Sequence, residues 1–74
     1  MMHTRRARFC RLVHHGICHQ RSTVRGFLAL ARLAPNADVA TLMRSFAAEA
    51  QVSIDALLEQ RRLHCPHTLP IVVP

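Results

Sequence analysis

The chain contains no lysine, no tyrosine and no tryptophan, only two glycines, and no aspartate or glutamate before Asp38. Each absence excludes something. With three Phe as the sole aromatics, any core has to be built from Leu, Val, Ile, Ala and Met. With Gly16 and Gly26 far apart, no glycine-rich loop can cradle a phosphate. The longest uninterrupted apolar run is Phe27 to Ala31, five residues. That falls far short of the roughly 20 residues a membrane-spanning helix needs, and it is too short for the core of a signal peptide. Three cysteines, Cys10, Cys18 and Cys65, are an odd number, which rules out a complete intramolecular disulfide framework. A reducing compartment, the cytoplasm by default, is the resulting expectation.

What remains is a 74-residue chain of which half is apolar, enough for one small domain. A chain of this size buries only about 60% of the surface that its unfolded form exposes, so staples or partners matter to its stability. Charge is distributed unevenly. Residues 1–37 carry seven Arg and no acid, a balance of +7, whereas residues 38–74 carry three Arg against four acids, a balance of −1. An acid-free basic half attracts nucleic acid, anionic lipid or an acidic protein. Because every cationic residue is Arg, each can donate a planar pair of hydrogen bonds to phosphate or carboxylate. The same Arg-rich, acid-free half also resembles a mitochondrial presequence, although Ser22 is its single Ser.

Hydrophobic spacing predicts helices and no strand. Thr4 caps a short helix over residues 4–16, ended by Gly16. Ser22 caps a second, running to about Ala34 before Pro35. In it Val24, Phe27, Leu30, Ala31 and Ala34 form an apolar face, while Arg21, Arg25 and Arg32 fall within about 40° of one another on a different face. Asp38 caps a third helix over residues 39–50, with Val39, Leu42, Met43, Phe46 and Ala50 converging on one side. Gln51 and Val52 interrupt that period, and Ser53 caps a fourth helix over residues 54–63. Its acid in the first turn, Asp55, and its Arg61 and Arg62 in the last suit the helix dipole. The expected architecture is therefore all-α: a small three- to four-helix domain over residues 21–65, a basic arm or short helix over residues 1–20, and an extended, Pro-containing tail over residues 66–74.

The segment from Phe46 to Leu57 resembles the helix-turn-helix of bacterial regulators over roughly residues 43–62. Ala47 stands where the motif needs a small residue, Ala50 and Val52 supply its apolar positions at the turn, Ser53 caps the second helix, and Leu57 faces the core. Two positions depart from the pattern. Gln51 occupies the place of the usual turn glycine, at about 1 kcal/mol if a left-handed backbone is kept, and Gln60 replaces an apolar residue. The resemblance implies a non-enzymatic transcription regulator that binds nucleic acid, DNA rather than RNA, as a dimer because one small module covers little DNA. Ser53, Asp55, Ala56, Glu59, Gln60 and Arg62 would face the groove, with Arg5, Arg6 and Arg8 as an arm on phosphates or in the minor groove. Asp55 and Glu59 suit phosphate poorly, although a carboxylate can accept from the amino group of cytosine.

The competing expectation is a protein-interaction module or inhibitor that lays basic amphipathic helices on an acidic partner. A mitochondrial microprotein stands behind both. Metal ligands occur at both ends of the chain, with Cys10, His14, Cys18 and His19 at one and His64, Cys65 and His67 at the other, so a clamp between the ends is conceivable. No Cys-x-x-Cys pair exists, and solvated histidines with buried thiols explain the set better, so neither metal nor other cofactor is expected. Cys10 with His14 and Cys65 with His67 lack a carboxylate nearby in sequence to orient the base, so no catalytic residue is expected either.

Overall fold

The computed structural model describes residues 2–65, and it is built of two helices, α1 (Met2–Arg32) and α2 (Ala37–His64). They form an antiparallel hairpin joined by residues 33–36. All-α holds. The three to four helices expected from the sequence merge into two, and the boundary placed between residues 20 and 21 lies inside α1. The tail over residues 66–74 lies outside the described residues.

The expected breaks close for identifiable reasons. At the first, the Thr23 hydroxyl donates to the His19 carbonyl at 3.1 Å, a bond that a mid-helix Thr makes with its own preceding turn. At the second, Ser53 behaves in the same way. Its hydroxyl faces the Glu49 carbonyl at 3.5 Å and caps nothing, and the Gln51 side-chain amide donates to Asp55 Oδ1 at 3.1 Å across one turn. No described residue has positive φ, so Gln51 carries no left-handed strain. The helix start also shifts. Asn36, with extended backbone, is the N-cap of α2 and its Oδ1 accepts from the Val39 N–H at 2.9 Å, so Asp38 moves into the first turn.

Both helices carry one 3-4 spacing through the hairpin. On α1 it reads Cys10, Val13, Ile17, Gln20, Val24, Phe27 and Ala31; on α2 it reads Ala40, Met43, Ala47, Ala50, Ile54, Leu57 and Arg61. This is the seam of a two-stranded coiled coil. Three cross-hairpin contacts fix the register: Phe9 with His64, Gly16 with Leu57, and Phe27 with Phe46. Each step of 7 or 11 residues forward along α1 is matched by the same step back along α2.

The core is thin. Val13, Ile17, Ala31, Ala47, Ala50, Ile54 and Cys65 are its buried residues. Only Val13, Ile17 and Ile54 are large aliphatics, each contributing about 1.5–3 kcal/mol by burial. Gly16 earns its place by contact, since a Cβ there would stand 3.1 Å from Leu57 Cδ1. A Cys10–Cys65 disulfide closes the open end across 55 residues of sequence. By loop entropy such a bridge contributes about 4 kcal/mol, comparable to much of the net stability of a small domain. The odd cysteine count thus resolves into one bridge and one exposed free thiol, Cys18.

Candidate interaction faces

A two-helix layer has two broad faces and two edges, and the register decides which residues share each. Cys10 bonding Cys65 marks one side of the seam, while Phe9 against His64 and Phe27 against Phe46 mark the other. On the Cys65 side α1 presents Arg11, Cys18, Arg25 and Arg32 at seven-residue steps, with His14, Arg21 and Leu28 between them and the seam. From α2, Arg44, Ala48, Leu58 and Arg62 share that side. All of its arginines are exposed. This is the basic face.

Its electrostatics are simple. Among the described residues the single ion pair is Arg62 with Glu59. Arg62 Nη2 donates to Glu59 Oε2 at 2.6 Å and Nε to Oε1 at 3.1 Å, a bidentate fork. That hydrogen bonding holds the Glu59 carboxyl below its ordinary range and raises Arg62 further. Arg11, Arg21, Arg25, Arg32 and Arg44 have no carboxylate partner among the described residues. Asp55 and, at the outer edge, Glu59 are the acids on this face, the first already accepting from Gln51 and the second from Arg62.

The nine nucleic-acid positions read from the sequence are all exposed, yet they do not form one surface. Ser53, Ala56 and Gln60 point to one side of α2, while Asp55 and Arg62 lie roughly 150° around the axis from Ser53 and Gln60, with Glu59 between. Arg5, Arg6 and Arg8 extend the first turns of α1 rather than a separate arm. They lie at the disulfide end beyond the Phe9–His64 contact, about 18–22 Å along the helix from the level of Ser53. The turn on which the helix-turn-helix resemblance rests, residues 51–53, is continuous helix.

Compared with protein-family models, curated proteins and solved structures, the chain has no match. Its surface must be read from its own chemistry.

The metal-ligand cluster at the two ends is indeed brought together, but by a covalent bond that consumes the Cys10 and Cys65 sulfurs. Cys18 Sγ lies 3.7 Å from His14 Nε2 one turn earlier. No group of three His, Cys, Asp or Glu among the described residues could hold a metal ion. His67 falls outside those residues. Likewise, no described helix is long and apolar enough to cross a membrane.

Sequence reasoning found Phe9 and Leu12 on one apolar side but missed the disulfide and the fact that these residues, with Leu63, stay exposed opposite the basic face. The signal was present: the 3-4 spacing of α1 continues without a phase shift through Gly16 and Ser22. Gln20 at a seam position and Gly16 beside the seam obscured it.

Proposed function

We propose that the chain is a small non-enzymatic docking module whose basic face holds an acidic protein surface. The observation that carries this reading is the set of five exposed arginines without carboxylate partners among the described residues, interleaved with Leu28 and Leu58, on one side of the two-helix layer. Arg mixed with aliphatic contact area suits a protein interface. Base stacking needs aromatics, and the three Phe all lie on or beyond the seam, away from this face. A flat layer of two helices is about 20 Å wide, whereas the major groove is about 12 Å and admits one helix.

A second reading, a DNA-binding transcription regulator, is supported by the acid-free basic α1 and the exposure of residues 53–62. One experiment separates the two. The labelled chain is titrated with a poly-glutamate peptide and with mixed-sequence duplex DNA at near-physiological salt, and amide shifts are mapped. Shifts on residues 11–32 and 44 with the peptide, abolished by Arg21→Glu with Arg25→Glu, support docking. Shifts on residues 5–8 and 53–62 with DNA, unaffected by those changes, replace it with the regulator.

A cytoplasmic location would require the module to work with its bridge reduced. A disulfide that closes the hairpin favours an oxidising compartment, and the mitochondrial reading of the N-terminal half is compatible with one. Trapping the thiols of the chain in cells with an alkylating agent decides this: one modified cysteine means the bridge is present, three mean it is not.

A further inference from the structure

The side of the hairpin opposite the basic face is apolar, and we propose that it binds a second copy of this chain, giving a twofold-symmetric four-helix bundle. The inference is independent of what the basic face holds.

The face is defined by the same register. It carries Phe9, Leu12 and Leu30 from α1, Leu33 from the connection, and Leu42 and Leu63 from α2, all exposed, with Leu12 at 66% and Leu33 at 82%. Six of the eight large exposed apolar side chains among the described residues lie on this side; Leu28 and Val52 are the other two. Between the two apolar ends Gly16, Gly26, Ser53 and Ala56 keep the surface low, and the exposed His19 and Gln60 are the polar side chains among them. Glu49 is the one acid on this side.

Three physical arguments select a second copy as the occupant. The first is area. At 28 residues α2 is about 42 Å long, and two helices side by side are about 20 Å wide, so the face offers about 800 Å². That is the contribution of each partner to a standard-sized stable interface. The second is shape. A dyad parallel to the helices lays α1 of one copy on α2 of the other at equal height. The Gly16–Leu57 and Phe27–Phe46 contacts then set Leu12 near the level of the partner's Leu63, Leu30 near that of the partner's Leu42, and Gly26 near that of the partner's Phe46. Large meets large at both ends, and a ring faces a glycine between them. The third is charge. Two copies meeting through the basic face would set the unpaired arginines of each against those of the other, whereas the apolar face carries a single exposed arginine, Arg5, one heptad before Leu12 at its end. The thin core of the hairpin, with three large aliphatics, would gain the second layer that helical domains ordinarily have.

The test uses the full oxidised chain. Sedimentation equilibrium at micromolar concentration is expected to give a dimer. Leu30→Asp with Leu42→Asp should weaken self-association by at least about 30-fold, whereas Val52→Asp, on the outer edge of α2, should leave it unchanged. Should the double variant lose its helical circular dichroism, a photoreactive benzoylphenylalanine at position 30 of the otherwise native chain decides. Crosslinking to a second copy upholds the dimer, and crosslinking at position 52 in its stead overturns the assignment of the face. A wild-type chain that sediments as a monomer overturns the proposal. So does a monomer that floats with vesicles of phosphatidylcholine and phosphatidylglycerol, since the occupant is then lipid.

Discussion

The two helices of this hairpin are of similar length but differ in what holds them. α2 has an Asn36 cap, an acid in its first turn, and Arg61, Arg62 and His64 in its last, each placed to complement the dipole. It is rich in Ala and Leu, and it holds the one ion pair among the described residues, with a further i,i+4 bond from Gln51 to Asp55. α1 has no acid in its first turn. Through its middle run Gly16, Ser22, Thr23 and Gly26 together with β-branched Val13, Ile17 and Val24, a composition of weaker helix propensity. Its arginines repel one another without acids between them. α2 is specified locally, whereas α1 is helical because α2 and the disulfide keep it there. A helix can be long without strong signals of its own when one stripe of it is buried.

The sharpest way to break that asymmetry is at the disulfide. Cys10→Ser with Cys65→Ser, or reduction, is expected to lower the unfolding free energy by about 4 kcal/mol. Hydrogen exchange should show the first half of α1 losing protection before α2 does. If both helices lose protection together, α1 does not depend more on its partner than α2 does. Next in size is the seam. Ile17, 1% exposed, replaced by Ala should cost about 2–4 kcal/mol in chemical denaturation, whereas Leu33→Ala in the connection should stay within about 0.5 kcal/mol in a monomeric background.

Smaller effects test local specification. Asn36→Ala should destabilise by about 1 kcal/mol through the lost bond to the Val39 N–H, read as a shift in the thermal midpoint. The glycines of α1 separate propensity from packing. In a monomeric background Gly26→Ala meets open space and should stabilise by about 0.5–1 kcal/mol. Gly16→Ala should gain distinctly less, because its methyl group would press on Leu57 Cδ1.

The smallest effect is that of pH on α2. Hydrogen bonding from Arg62 lowers the Glu59 pKa below its ordinary 4.5. Its small stabilisation is therefore complete above the ordinary carboxylate range and disappears as pH falls through the lowered value. A carboxyl titration followed by NMR should show Glu59 titrating below the ordinary glutamate range, and Arg62→Ala should return it to the ordinary value.

Much of this protein was legible in its residues. Helical class, the basic character of the first half, the stop near Pro35 and the apolar stripes around Phe27 and Phe46 all follow from spacing and composition, because they depend on neighbours within one or two turns. The helix ends at Gly16 and near Ser53 were misread for a physical reason. Gly, Ser and Gln-Val-Ser weaken a helix locally, and a continuous seam outweighs that weakness only when a second helix lies against it. The joining of Cys10 to Cys65 and the division into a basic and an apolar face depend on antiparallel register. Only tertiary packing decided them, because residues more than 50 positions apart meet when the whole hairpin closes.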